Sequence, residues 1–158
     1  MKIISNSTPI ITLAKLNALD LLAEYTVYVP SGVREEVLAK ECAEKDRIIH
    51  FLRQKNVHIV TPTEKHPTST ILGKGEMDTI HLAKEQKISI VLMDDRRARS
   101  HVKLHGLVTR GTIWIILQAY RRKRINRQKA KKYMYRLSET GFYIGEEFLM
   151  RILEEIDT

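Results

Sequence analysis

Asp94 and Asp95 stand side by side where the apolar run ISIVLM gives out, and Arg96, Arg97 and Arg99 follow within four residues. Paired carboxylates at the end of a strand can bind a hard cation, and guanidinium groups beside them can grip phosphate oxygens through charge-assisted hydrogen bonds. The same residues also suit an ordinary helix start, where an acid is stabilised by the helix dipole. Further oxygen side chains fall at Asn6, at Glu35 and Glu36, and at Glu76. Carboxylates crowded together repel one another unless a cation neutralises them. Mg²⁺ or Mn²⁺ prefers such oxygen ligands, activates water and stabilises charge on a phosphodiester, so the chemistry in view is metal-assisted phosphodiester hydrolysis.

Residues so far apart in sequence need a frame that gathers them. Lys2 to Ser5 reads as a strand. Thr8 and Pro9 then supply a helix cap and a proline at a tolerated first position, and TVYVP returns to β-branched and aromatic residues. A helix is predicted over GVREEVLAKECAEKDRIIHFLRQK after Ser31, with Cys42 in its middle, followed by a strand VHIV and an irregular loop TPTEKHPTSTILGKG. EMDTIHLAKEQK reads as helix, ISIVLM as strand, DDRRARSHVKLHG as a short helix closed by Gly106, and LVT as a fifth strand. From about residue 112 onward, three helices are predicted over TIWIILQAYRRKR, NRQKAKKYMYRLSET and GEEFLMRILEEI. Alternating strands and helices imply an α/β domain with a mainly parallel sheet covered on both faces, carrying a helical C-terminal part. Ligands of such sheets gather outside the carboxyl ends of the strands, where Asn6, Asp94 and Asp95 are expected.

A chain of 158 residues suits one domain, taken here as residues 1–158. Cys42 is the single cysteine, which excludes an intrachain disulfide and favours a reducing, cytoplasmic setting. No apolar stretch is long enough to span a bilayer. The net charge is +8, and Arg121 to Arg136 alone holds nine Lys or Arg and no acid, leaving the remainder at −1. Positive charge so concentrated attracts nucleic acid or an acidic partner, and the run is a candidate RNA track.

The order IISNSTPIITLAKLNALDLL, VPSGVREEV, LGKGEMDTIHLAKE, VLMDDRRAR and LVTRGTIWIIL resembles the PIN-domain family, in particular its archaeal and bacterial branch related to toxin–antitoxin ribonucleases. The resemblance runs over nearly the whole chain, including the GFYI segment. It implies a PIN-like three-layer sandwich and a metal-dependent endoribonuclease, with Mg²⁺ or Mn²⁺ held by acidic residues. Carried over by position, the catalytic set would be Asn6, Glu36, Glu76, Asp94 and Asp95, with Asn6, Glu76 and Asp95 as metal ligands. The resemblance further implies a homodimer and, for a toxin, a small antitoxin partner. Lys74, Arg96, Arg97 and Arg99 are the candidate RNA contacts.

The chain departs from the family at Asn6, where the pattern has aspartate. An amide oxygen can coordinate, but losing a unit charge ~4 Å from a divalent ion forfeits on the order of 8 kcal/mol at an effective dielectric of ~20, before desolvation is subtracted. The alternative function is therefore a catalytically impaired PIN-like module that binds RNA or a partner protein.

Other features point to packing. The glycines of LGKGEMD lack P-loop spacing and read as turn punctuation. His101 and His105 have zinc-compatible spacing without a third ligand, and Trp114 lies among aliphatic residues. Asp78, two residues from Glu76, falls on a different helix face.

Overall fold

The computed structural model describes residues 1–64 and 71–158. Its five strands are β1 (Lys2–Ser5), β2 (Thr26–Pro30), β3 (Val57–Val60), β4 (Ile90–Leu92) and β5 (Val108–Arg110), all parallel in the order β3-β2-β1-β4-β5. The chain winds outward from β1 in one direction and, after β3, in the other. The point where the order reverses lies between β1 and β4, and crevices at such points receive ligands in open parallel sheets.

Side chains on adjacent strand positions point to opposite faces, and both faces are covered. Ile3, Val27, Val29 and Leu92 enter one core with α1 (Ser7–Lys15), α3 (Lys45–Leu52), α6 (Thr112–Arg121), α7 (Arg127–Arg136) and α8 (Glu146–Asp157). Ile4, Val91 and Met93 enter a second core with α4 (Lys74–Glu85) and α5 (Arg96–Leu104). The result is the three-layer α/β sandwich with the expected helical C-terminal region. No helix among the described residues is long and apolar enough to cross a membrane.

Three local expectations are corrected. The predicted helix after Ser31 is two helices, α2 (Ser31–Ala39) and α3, because Lys40 takes an extended backbone and Glu41, Cys42 and Ala43 are all exposed. A segment with nothing to bury gains little from helical packing; Cys42 consequently lies in the connection rather than mid-helix. The first helix begins at Ser7 with Asn6, not Thr8, in the cap position, and Pro9 occupies its third position, where an amide hydrogen has no intrahelical partner. Asn17 then turns the chain at φ 54° into a 3-10 turn over Leu19–Leu22. Part of the predicted irregular loop, residues 65–70, lies outside the described residues; its end is helical, since α4 starts at Lys74.

Candidate functional site

Helices that follow parallel strands start at the carboxyl edge of the sheet, so α1, α2, α5 and α6 all present their amide ends there. Asn6 lies on this rim at the switch point, 3% exposed, with its backbone N–H donating to the Leu92 carbonyl of β4 at 3.0 Å. Its side chain does not cap α1; its Oδ1 stands 3.5 Å from the Ser7 hydroxyl. That hydroxyl donates to Glu36 Oε2 at 2.6 Å, while Glu36 Oε1 accepts the Gly75 backbone N–H at 3.1 Å. Glu36 on α2 thereby joins the β1–α1 junction to the first turn of α4.

Gly75 makes this reach possible. A Cβ at position 75 would stand 2.3 Å from Glu36 Oε1, a distance no carbon tolerates, so this glycine serves close approach inside a helix rather than a turn. At Gly111 the same holds for Asp94, whose Oδ1 would lie 2.7 Å from an added Cβ. Asp94 accepts the Thr112 N–H at 2.8 Å through Oδ1 and the Thr112 hydroxyl at 2.7 Å through Oδ2. Burial pushes its carboxyl above the ordinary value of 3.8, against the opposing pull of the two Thr112 hydrogen bonds and the Arg99 charge.

Glu76 and Asp95 are turned onto their own helices. Glu76 Oε2 accepts the Gly73 N–H at 2.9 Å, the glutamate half of a capping box, and Asp95 Oδ1 accepts the Ala98 N–H at 2.8 Å as the N-cap of α5. The structure thus brings together Asn6, Glu36 and the first turn of α4, with Asp94 one strand away. Among the described residues no group of three or more His, Cys, Asp or Glu side chains is gathered closely enough to enclose an ion. Ser7, Gly75 and Thr112 were missed by sequence reasoning. Their signal was position: a hydroxyl beside Asn6, a glycine one residue before Glu76, and a threonine after the glycine that ends β5.

The charge balance at this rim is uneven. None of Glu36, Glu76, Asp94 and Asp95 forms an ion pair with Lys or Arg among the described residues. Lys74 lies 3.7 Å from Glu35, both exposed. Arg96 and Arg97 are exposed, whereas Arg99 is half-buried and donates its Nε to Thr109 Oγ1 at 3.3 Å. A family model described as a PIN domain, DUF3368, matches residues 2–158. The chain belongs to the PIN-domain family. No curated protein and no solved structure matches it.

PIN domains have a nuclease-like fold and generally use divalent metal ions. The donor chemistry of this PIN domain fits such an ion: Asn6, Glu36, Glu76, Asp94 and Asp95 are hard oxygen donors, and the carboxylates are oriented by neutral hydroxyl and amide donors, as outer-shell partners orient metal ligands. Mg²⁺ keeps several waters and is often held by one or two carboxylates plus substrate phosphates, so a preformed trio is not required.

Elsewhere in the PIN domain, the basic run is less free than its sequence implies. Arg121 pairs with Glu155, Arg122 and Arg124 with Glu24 at 2.7 and 3.6 Å, Lys131 with Asp157 at 2.8 Å, and Arg136 with Glu139 at 3.5 Å. His105 Nδ1 sits 2.8 Å from Lys84 Nζ, an ammonium where a zinc ligand would need space. Trp114 packs on the main core, with its ring 5.9 Å from that of Tyr25 and the Arg110 guanidinium 5.8 Å from its centroid.

Proposed function

We propose that this PIN domain is a metal-dependent endoribonuclease that hydrolyses RNA phosphodiester bonds. The observation that carries the reading is the set of carboxylates on the carboxyl rim that have no ion-pair partner among the described residues, in a chain that is otherwise rich in cations. Glu36, with Asn6, Glu76, Asp94 and Asp95 as the remaining oxygen donors, would hold Mg²⁺ or Mn²⁺, Asn6 contributing a neutral amide oxygen. The ion would supply Lewis-acid charge at the phosphodiester and an acidified water.

The protein's own part is orientation. Ser7 and the Gly75 amide fix the Glu36 carboxylate from two sides, so its geometry does not await substrate. Thr112 does the same for Asp94. Lys74 and Arg96 stand at the starts of α4 and α5, on the rim, where their charges can hold the phosphates flanking the scissile bond. The wider reading, supported by the family resemblance, is a cytoplasmic toxin that acts as a homodimer and is restrained by a small antitoxin.

A second reading is favoured by Asn6 and by the lack of a gathered trio among the described residues: a PIN module that binds RNA or a partner without cutting. The deciding experiment is cleavage of a mixed-sequence RNA in Mn²⁺ and in EDTA, comparing the wild type with Glu36→Gln. Loss of at least about 10-fold on either change fits the nuclease, since misplacing a positioned group costs rates of this order or more. Cleavage indifferent to both would assign the activity elsewhere, and binding without cleavage would select the second reading.

A further inference from the structure

A group of exposed positive charges without ion-pair partners among the described residues lies on α5, directly beside the acidic rim, and this changes where RNA would be held. Five of the nine cations of Arg121–Arg136 are paired with Glu24, Glu139, Glu155 and Asp157. On α5, by contrast, Arg96, Arg97 and Lys103 are exposed and form no ion pair among the described residues. The helix turns Ala98 and Val102 into the core, so the sequence RRARSHVKL leaves Arg96, Ser100 and Lys103 on one outward row and Arg97 and His101 on the next. The row begins at the N-cap Asp95, directly after Asp94, and leads away from the rim.

Beside this row is a hollow of about 560 Å³ lined by Ile71, Arg97, Ser100 and His101. Its size lies within the range that accepts a small-molecule-sized group. Its chemistry is that of a nucleotide: an apolar Ile71 side chain, 70% exposed, to lie against a base, a hydroxyl for sugar oxygens, and a guanidinium and an imidazole for phosphate.

We propose that the outward face of α5, with the hollow formed by Ile71, Arg97, Ser100 and His101, is the RNA-binding track of this domain and holds a nucleotide next to the acidic rim. The proposal rests on the RNA-directed reading above but not on cleavage. It removes the Arg121–Arg136 run from the main RNA-binding surface.

Fluorescence anisotropy with a labelled single-stranded RNA, in EDTA and over a range of KCl, tests it on the full chain. Arg97→Ala with Lys103→Ala should weaken binding and reduce the slope of log K against log [KCl] by about 1.4, at roughly 0.7 for each phosphate of a single strand that is no longer neutralised. Lys123→Ala with Lys132→Ala, two exposed cations of the basic run, should leave the slope unchanged; circular dichroism melting confirms that both variants are folded. A flatter slope for the Lys123 and Lys132 pair, with none for the α5 pair, would overturn the proposal. Tighter binding of polyglutamate to α5 than of RNA would overturn it in favour of an acidic protein partner. Wild-type chain that binds RNA without cutting it removes the nuclease reading and leaves the track standing, whereas wild-type chain that binds no RNA removes both.

Discussion

Asn6 is almost wholly enclosed, beside a serine that is itself bound to Glu36, and its neutrality matters for that arrangement. An aspartate here would put a second negative charge within reach of Glu36, which has no ion-pair partner among the described residues. Uncompensated buried charge is costly, and adjacent carboxylates resist joint ionisation. Asn6→Asp should therefore melt at a lower temperature than the wild type in EDTA, by several degrees for each 1 kcal/mol or so lost. Mn²⁺ should restore that difference and bind more tightly than it does to the wild type. Calorimetric titration together with melting curves checks this, and equal Mn²⁺ affinity for both proteins would count against Asn6 as a neighbour of the ion.

At the level of elements, the rim carboxylates do a second job as caps. Asp95 closes the amide end of α5, Glu76 that of α4, and Asp94 reaches the first amide of α6. Cap and ligand roles can be separated at Asp95, because asparagine caps as well as aspartate but carries no charge. Asp95→Ala should cost about 1 kcal/mol of stability and Asp95→Asn only a few tenths. If Asp95 is also a metal donor, the asparagine variant should nonetheless lose Mn²⁺-dependent cleavage. Urea denaturation and cleavage rates on the same preparations read the two roles independently. Full activity in Asp95→Asn would leave it a cap alone.

For the molecule as a whole, Asp94 links folding to pH. Its carboxyl is raised above 3.8 in the native state, chiefly by burial, so the native chain binds more protons than the unfolded chain as pH climbs above that value. Stability contributed by this group is present in acid and falls as pH rises through the folded value. Asp94→Asn removes that loss while leaving an oxygen for the Thr112 amide. The variant's stability relative to wild type should therefore improve from pH 3.5 towards neutrality, against a background set by the chain's other carboxylates. Chemical denaturation at several pH values measures it; a constant difference between the two proteins would show that Asp94 is not the group responsible. On the surface, five of the nine cations of Arg121–Arg136 are paired with acids, whereas Arg96, Arg97 and Lys103 on α5 form no ion pair among the described residues.

The sequence by itself determined the layers. Alternating strand and helix patterns, each with apolar residues at the right period, required a covered parallel sheet, and the motif order carried the family. It also determined which residue types stand at strand ends, because strand ends are marked locally by the loss of β-branched residues. Tertiary structure alone decided which of those side chains meet. Glu36 was named by sequence among the catalytic acids, but its partners were not: a glycine inside another helix lets it cross to Gly75 and Ser7. Glu76 and Asp95, marked by sequence as ligands, spend a lone pair on their own helix amides. Apart from Glu139, three residues from Arg136, the acids that pair with the basic run are Glu24 and two near the chain's end, Glu155 and Asp157, too distant for any local pattern to register. Hydrogen bonds and ion pairs are satisfied by whatever the fold brings within about 3 Å, and that proximity is a property of the packed chain rather than of any segment of it.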